Sequence, residues 1–393
     1  MPNDEKLDVV LEKFYNRYNQ FNTKILKKMG QTIKLFDGIS PSEAHILAQQ
    51  LKYGTDINVL MNELSQLSGK SIQDVEVLFD NVAEQNVDFA EVYYKAKNKE
   101  FIGYENNKRL QRFVDTIAKT TDETFLNLSK AKNIGFTFKD AKGRVIFKPI
   151  KDVYNDLIDE AVYNVSIGVE DYQSAMRNTI NRLADSGVKV HEDKVAYDSG
   201  YNRRIDSSVR QAVLDGIRAT NIGIQQLVGE EFGADGVEIS AHSPCADDHL
   251  PINGRQFSKK EFARVNGDLD RPIGTLNCRH FVFSIVLGVN KPEYSRKQLR
   301  QMEQESHAVV EYDGKKYTKY EATQVQRQLE TEIRRQKDRQ IIARASDNKE
   351  AIAKAQNKIQ ILTRKYNDFS RNTGLQTYKE KLTVSGYRRV STK

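Results

Sequence analysis

Cysteine and long hydrophobic runs are scarce in this sequence. Two cysteines in 393 residues exclude a disulfide framework, and in a reducing compartment a cluster of cysteine and histidine is interpreted first as a metal site. No apolar run approaches the ~20 residues that cross a bilayer. The N-terminal segment MPNDEKLDVVLEKF is charged and lacks the apolar core of a signal peptide. We therefore expect a chain that is made and kept in the cytosol, with no membrane partner.

Charge, in contrast, is plentiful. The chain has 61 Lys and Arg residues against 54 Asp and Glu residues, a net charge of +7, and only 38% hydrophobic residues. This composition predicts a helix-rich protein with long exposed faces. The net positive charge permits contact with nucleic acid but does not require it. At ~150 residues per domain, the length predicts two or three domains.

Residues 1–130 are predicted to be helical. Apolar residues recur at three- and four-residue steps in LDVVLEKFYNRYNQF and in VEVLFDNVAEQNVDFAEVYY. The tetrapeptide Ser40-Pro41-Ser42-Glu43 has the capping-box pattern, with proline at the first helical position. We interpret this N-terminal region as a helical bundle.

Residues 131–290 predict a small α+β module. In FTFKDAKGRVIFK, residues 136–148, apolar and polar residues mostly alternate around Asp140-Ala141-Lys142-Gly143. This pattern predicts a β-hairpin with glycine at a position of positive φ. Two amphipathic helices follow, and residues 188–206 are short, polar and rich in turn residues, as in a second hairpin. Another helix then precedes the short predicted strand VEIS, residues 237–240.

Residues 291–393 are mostly charged and amide residues at helical spacing, with too few apolar positions for a globular core. The segments on either side of Ser346-Asp347-Asn348 predict an antiparallel helical pair, or one long helix lying on another chain. The expected fold class is therefore α+β and predominantly α-helical. It has a helical N-terminal region, a small central α+β module with short hairpins, and a long helical C-terminal extension.

Both cysteines and three of the six histidines lie in one window. HSPCADDHLPING covers residues 242–254, and TLNCRHF follows at residues 275–281. Zn²⁺ prefers about four N or S ligands in a tetrahedron, often supplied as two close pairs. One pair here is four residues apart and the other is two apart, which predicts a structural zinc site with no open coordination position. The predicted metal ligands are Cys245, His249, Cys278 and His280.

Other interpretations of this window stay open. The cysteines also fit as a small buried residue and a free thiol, with the histidines as hydrogen-bonding turn residues. A cysteine and a histidine can form a nucleophile pair, although the window has no evident oxyanion loop or orienting partner. Asp247 and Asp248 are candidates for acid–base work or for a Mg²⁺-dependent nuclease, but adjacent loop residues usually point apart. Asn277 and Arg279 are expected to fix the second loop through hydrogen bonds.

The order of these motifs resembles the phage minor capsid protein 2 family. The stretch VEISAHSPCADDHLPINGRQFS followed by RPIGTLNCRHFVFSIVLGV is similar to the family's strand ending in Ser-Ala-His, its Asn-Cys-Arg-His element and its hydrophobic strand ending in Gly. Tyr320 to Arg327 closely matches the family's Tyr-Glu-Ala-Thr-Gln-x-Gln-Arg run. The resemblance extends from GVEDYQSAMRNTINRLADSGV to YTKYEATQVQRQLETEIRR. This family is in turn similar to the Mu F-like head-morphogenesis proteins.

The resemblance implies a minor structural component of the phage head, synthesised in the host cytoplasm and built into the virion in few copies. It implies association with the portal and a part in head assembly, DNA packaging or DNA ejection. The expected partners are the portal protein and other head proteins, with non-specific contact to packaged DNA and no small-molecule substrate. Long charged helices suit such contacts, and a zinc-braced module would give a rigid core between them.

We expect binding and positioning without turnover, and we assign no catalytic residue. Two other classes stay open. One is a metal-dependent nuclease or toxin-like effector carried in the virion, since Mu F-like domains can be joined to toxin domains; the last hundred residues lack glycine-rich or clustered catalytic signals, which argues against it. The other is a zinc-containing DNA-binding regulator, which would keep a sequence preference as salt rises.

Overall fold

The structure, a computed structural model, describes residues 4–53, 56–96, 98–191, 203–275 and 278–389. Its helices are α1 Asp4–Leu35, α2 Pro41–Tyr53, α3 Asp56–Ala96, α4 Lys108–Leu128, α5 Ile150–Ser166, α6 Tyr172–Ala175, α7 Arg177–Ser186, α8 Ile205–Phe232, α9 Lys259–Gly267, α10 Arg296–His307, α11 Lys319–Ala345 and α12 Lys349–Asn372. Its strands are β1 Ile134–Lys139, β2 Val145–Pro149, β3 Lys189–Val190, β4 Arg203–Arg204, β5 Gly236–Ile239, β6 Gln256–Ser258, β7 Val282–Ile285, β8 Val309–Tyr312 and β9 Lys315–Thr318. The predicted α+β, predominantly α-helical fold class is confirmed. No helix in these ranges is both long and apolar enough to cross a lipid bilayer.

The chain forms two compact units, each assembled from three segments. Unit 1 comprises Met1–Leu11, Lys70–Thr124 and Gln211–Val325. Unit 2 comprises Glu12–Gly69, Phe125–Arg210 and Gln326–Lys393. The division of the sequence into regions 1–130, 131–290 and 291–393 stays a prediction.

Unit 1 contains a three-stranded antiparallel sheet in the order β6-β5-β7. The predicted strand VEIS forms most of β5, and every residue of β5 is buried. Ile239 and Val282 belong to an apolar cluster that also includes Ile252, Ile273 and Cys278. Each fully buried aliphatic side chain of this kind contributes about 1.5–3 kcal/mol. The sheet and the loops that carry both cysteines are therefore held by one core.

Helix α8 covers the outer edge of β7 with side-chain amides. The backbone N–H of Val282 donates to Asn221 Oδ1 at 3.2 Å, and that of Ser284 donates to Gln225 Oε1 at 3.0 Å. Asn221 and Gln225 lie four residues apart, on one face of the helix. Exposed strand edges invite unwanted pairing. The backbone N–H groups on this edge of β7 are therefore hydrogen-bonded to α8 and are not free to pair with another strand.

Unit 2 contains the predicted hairpin, which is confirmed. Strands β1 and β2 pair antiparallel around the turn that begins at Asp140, and Gly143 has φ 78°. Asp140 accepts from the backbone N–H groups of Lys142 and Arg144, so one carboxylate closes the turn. The sheet continues through β3 and β4 in the order β2-β1-β3-β4. The pairing of β3 with β4 agrees with the second predicted hairpin, whose middle, residues 192–202, lies outside the described residues.

A buried ion cluster lies in unit 2. Arg204 of β4 contacts Asp206 at 3.3 Å and Asp338 of α11 at 2.6 Å, and both carboxylates are fully buried. Asn19 and Asn22 of α1 donate to Asp206 and Asp338, respectively. Burial opposes ionisation of Asp206, but Arg204 and Arg334 outweigh it and lower the pKa of Asp206 to about 2. At Asp338 the effect of burial exceeds the opposing effect of Arg204, and the pKa of Asp338 is raised. The neighbouring carboxylate of Asp206, which shares Arg204, acts in the same direction as burial.

Helices α11 and α12 form the predicted antiparallel pair, which lies in unit 2 from Gln326 onward. Polar contacts join them along their length: Gln326 donates to Ser370, Tyr366 to Glu330, and Gln340 to Gln356. Asp347 in the connection has φ 60°. Apolar packing accompanies these hydrogen bonds, because Ile333 of α11 forms a buried cluster with Leu362 and Tyr366 of α12. The helices are therefore joined by a small apolar cluster together with hydrogen bonds between buried polar side chains.

A hairpin interrupts the C-terminal region that the sequence predicts to be helical. Strands β8 and β9 pair antiparallel, with Val309 opposite Thr318. The turn residues Asp313 and Gly314 both have positive φ, 53° and 71°. Asp-Gly at the two central positions is typical of the tight type I′ turn, which matches the twist of the flanking strands.

Candidate metal centre

The antiparallel pairing of β5 with β7 brings two distant segments of unit 1 together. Ile239 at the end of β5 lies opposite Val282 at the start of β7. The chain leaves β5 into the segment with Cys245, and it enters β7 from the segment with Cys278. Because the end of one antiparallel strand lies beside the start of its neighbour, both segments meet at one edge of the sheet.

The four residues predicted as metal ligands lie close together and are buried. Cys278 Sγ lies 3.4 Å from His280 Nδ1 and 4.0 Å from His249 Nδ1. Cys245 Sγ lies 3.9 Å from His280 Nε2. Exposure is 7% or less for all four side chains. Sulfur and imidazole groups from both segments therefore lie in one buried region around His280, with the two cysteines beside different nitrogens of its ring.

Two groups of three residues have ligand atoms within 4.8 Å of one another. One group is His249, Cys278 and His280; the other is His242, Cys245 and His280. His280 belongs to both groups and offers a different ring nitrogen to each cysteine. His242, which the sequence prediction left out of the ligand set, lies with its ring centroid 4.4 Å from that of His280.

The protonation of His249 follows from its hydrogen bond. Its Nε2 atom lies 2.7 Å from the backbone carbonyl oxygen of Arg271. A carbonyl oxygen only accepts, so in the neutral ring Nε2 carries the hydrogen and Nδ1 keeps its lone pair. That lone pair is on the nitrogen nearest Cys278. Histidine ligands of metals are commonly oriented in this way by a carbonyl on the other ring nitrogen.

Asn253 fixes the other histidine. Its side-chain oxygen accepts from the backbone N–H of His242 and its amide nitrogen donates to the carbonyl of the same residue. This reciprocal pair sets which amide atom is oxygen. The same oxygen lies 3.0 Å from His280 Nε2, so Nε2 donates the hydrogen bond and His280 Nδ1 keeps its lone pair.

Of the two groups, His249, Cys278 and His280 therefore have the arrangement of ligand atoms that suits a bound cation better. When both rings are neutral, each imidazole directs an unprotonated Nδ1 atom toward the same sulfur, and each Nε2–H group is held by an oxygen acceptor. The second group would need His280 Nε2, which Asn253 already engages. Neutral imidazole nitrogen and cysteine sulfur are the donors that zinc prefers.

The two thiols have different electrostatic surroundings. Burial raises the pKa of the Cys245 thiol to about 12. Burial acts in the same direction on Cys278, but protonated His249 and backbone N–H groups outweigh it through their hydrogen bonds, and the pKa of Cys278 is lowered. The pKa of His249 is correspondingly raised, despite its burial, by Cys278, the Arg271 carbonyl and Asp248. Burial also lowers the pKa of His280 to about 2, so this imidazole is neutral. The deprotonated sulfur and neutral imidazole that a metal requires are thus favoured at Cys278 and His280.

A buried arginine holds the second segment in place. Arg218 of α8 is fully buried and donates to the backbone carbonyls of Cys278 at 3.2 Å and Arg279 at 2.7 Å. Its guanidinium also lies 3.6 Å from the centroid of the Phe281 ring. The predicted anchoring by Arg279 takes the form of an ion pair with Asp8 at 3.1 Å. Asn277 lies outside the described residues.

The two adjacent aspartates differ in their surroundings. Asp247 is exposed. Asp248 accepts two hydrogen bonds from Arg271, at 2.6 and 3.1 Å, and lies 3.7 Å from His249. The guanidinium of Arg271 and the neighbouring histidine outweigh burial and lower the pKa of Asp248. Asp248 thus orients Arg271, whose carbonyl in turn orients His249.

The sequence contains signals for the supporting residues that the prediction missed. Arg218, Asn221 and Gln225 are three polar residues at helical spacing on the otherwise apolar face of α8, and all three bind the segment around β7. His242 lies inside the same Cys/His window as the predicted ligands. The sequence alone does not say which of three nearby histidines turn inward, because that depends on the hydrogen bonds of Asn253.

The model of a protein family described as Phage minor capsid protein 2 matches residues 3–370. Neither a curated protein nor a solved structure matches the chain.

Proposed function

Because the chain belongs to the phage minor capsid protein 2 family, we propose that it is a structural component of the virion head that associates with the portal and acts in head assembly, DNA packaging or DNA ejection. The match over residues 3–370 carries this proposal, because it spans both compact units. Other head proteins are the proposed partners. The exposed lysines and arginines would allow non-specific contact with packaged DNA.

Binding and positioning without turnover is the proposed mode of action. Support comes from the His/Cys groups, whose four predicted ligands are buried and in which His249 and His280 are each held by a hydrogen bond at Nε2. A catalytic metal keeps a position open to substrate, whereas a structural metal is enclosed by protein ligands. Burial of the cluster therefore favours a structural metal ion over a catalytic one.

The proposed location can be tested on purified particles. We expect quantitative mass spectrometry of gradient-purified virions to find this chain in the head, at far lower abundance than the major capsid protein, and cross-linking to join it to the portal protein. A chain that stays in the host lysate and is missing from DNA-filled heads would contradict the proposal. A salt-resistant, sequence-selective gel shift would instead indicate a regulator.

Zinc is the metal that we propose for the centre. His249, Cys278 and His280 would bind it through two Nδ1 atoms and one sulfur. Cys245, whose sulfur lies 3.9 Å from Nε2 of His280, would turn toward the ion to become the fourth ligand and complete the set predicted from the sequence. The ion would join the segment after β5 to the segment before β7. The binding energy of such a structural ion is folding energy of the module.

Replacing Asn253 by Leu is expected to weaken zinc binding by about 10–100-fold, the usual cost of losing a group that orients a ligand. The variant removes the acceptor of His280 Nε2–H without removing any proposed ligand. Zinc affinity is measured by competition with a chromophoric chelator. His45→Asn, at an exposed histidine outside the centre, is the control and should keep the wild-type affinity. Equal affinities for both variants would show that Asn253 does not orient a ligand.

A further inference from the structure

A cleft of about 310 Å³ lies in unit 2, lined by residues of α7, α11 and α12. Part of its lining is apolar and comes from Ile180, Ala351 and Ala355. The volume is near the lower end of the ~300–1,000 Å³ range of small-molecule sites. The cleft is therefore larger than a bare inorganic anion requires.

The charged residues of the cleft are all basic. Among the residues that the structure describes, no carboxylate lines it, and the cations that do are Arg177, Arg339, Lys354 and Lys358. Glu350 pairs with Arg177 and Lys354, and Asp185 pairs with Arg339. Lys358 makes no ion pair with any described residue. Four cations against two carboxylates leave a local excess of positive charge.

Two of these cations have donors without acceptors. The Nε atoms of Arg177 and Arg339 are buried, and neither has a hydrogen-bond partner within the described part of the chain. Leaving a buried donor unsatisfied costs about 1–3 kcal/mol, and more for a charged group. Both Nε atoms are closed to solvent, so an anion in the cleft would meet the exposed parts of the two guanidinium groups, whose side chains are 27% and 25% exposed. Guanidinium groups suit oxyanions in particular, because their planar N–H groups match phosphate and carboxylate geometry.

We propose that this cleft binds a phosphate ester, with the phosphate between the four cations and the attached organic group against the apolar lining. The excess charge favours phosphate over a single carboxylate. The spare volume and the surface of Ile180, Ala351 and Ala355 favour an ester over free phosphate. A nucleotide has this chemistry, either free or as a unit of a nucleic-acid strand. The site does not depend on the proposed role in the virion.

The test uses the full-length protein at an ionic strength of about 0.1 M, where the Debye length is about 10 Å, with three probes: inorganic phosphate, deoxythymidine monophosphate and a single-stranded oligonucleotide. Calorimetry measures the first two and fluorescence anisotropy the third. Lys358→Glu is the test variant, because Lys358 is exposed and its substitution breaks no ion pair within the described residues. Lys365→Glu is the matched control: it is exposed on the same helix, about 10 Å farther along at 1.5 Å per residue, and does not line the cleft.

We expect Lys358→Glu to weaken binding of the nucleotide by about tenfold, since the change places an anion beside the phosphate. Lys365→Glu should stay within about twofold of wild type, because a charge one Debye length away is screened. An effect on the mononucleotide identifies a free ester as a sufficient ligand; an effect on the oligonucleotide alone identifies a strand phosphate. If wild type binds none of the probes, or if both variants bind alike, the proposal is wrong. Circular dichroism checks that both variants are folded.

Discussion

Replacing Cys278 by Ser is expected to release the metal and to lower the melting temperature of the protein. Cys278 Sγ is the atom that faces the Nδ1 atoms of both His249 and His280, and serine puts a poor zinc ligand in its place. Structural zinc contributes about 10–16 kcal/mol in small zinc-binding peptides, so the effect should be large. Elemental analysis should find about one zinc per wild-type chain and none in the variant. Differential scanning fluorimetry measures the change in melting temperature.

Two further measurements separate loss of metal from loss of packing, because Cys278 also belongs to the apolar cluster around Ile239. Chelation of the wild-type protein removes the metal without changing a side chain and should lower the melting temperature in the same direction. Cys245→Ser tests the fourth ligand and should reduce the zinc content as well. Wild-type protein that is metal-free and melts unchanged after chelation would refute the zinc site and leave the family assignment intact.

Replacing Arg204 by Met should destabilise the protein by about 3–5 kcal/mol, the usual cost of breaking a buried ion pair by removing one partner. Arg204 contacts the buried carboxylates of both Asp206 and Asp338. Methionine has a similar length but no charge, so the variant leaves those carboxylates without their shared cation. Urea denaturation followed by circular dichroism measures the free energy of unfolding.

Arg144→Met is the control for this prediction. Arg144 pairs with Asp140 on the surface, where its side chain is 71% exposed, and exposed pairs contribute only about 0–1 kcal/mol. The double variant Arg204→Met/Asp338→Asn should recover part of the loss, because it removes one of the two uncompensated carboxylates. A single Arg204 variant as stable as the Arg144 variant would mean that the cluster does not stabilise unit 2.

The local elements could be predicted from the sequence because their signals are local. The hairpin around Asp140 has alternation and a glycine turn within one short stretch, and both appear in the structure. The helical pair around Asp347 was predicted from spacing alone and is confirmed. The hairpin of β8 and β9 was not predicted, because its Asp-Gly turn lies in a charged stretch whose composition indicates a helix.

The centre was harder to predict in full because its geometry depends on contacts distant in the sequence. Spacing identified four Cys and His residues, and β5–β7 pairing brings them together. Spacing could not reveal that Asn253 and the carbonyl of Arg271 decide which nitrogen each histidine presents. It also could not reveal the buried Arg218, which binds the backbone before β7 from a helix about sixty residues earlier.

The polar contacts between α11 and α12 have a mechanical consequence. Gln326 meets Ser370, Glu330 meets Tyr366, and Gln340 meets Gln356, so equal steps along the two helices keep every pair matched. Sliding one helix by a single turn, about 5.4 Å, would separate all three pairs at once. Each buried group left unsatisfied would cost about 1–3 kcal/mol. The apolar cluster of Ile333, Leu362 and Tyr366 alone would fix the relative position of the helices less strictly, because apolar contacts are non-directional. The matched hydrogen bonds add a fixed register, so the pair should resist displacement when it is pulled or pushed along its axis.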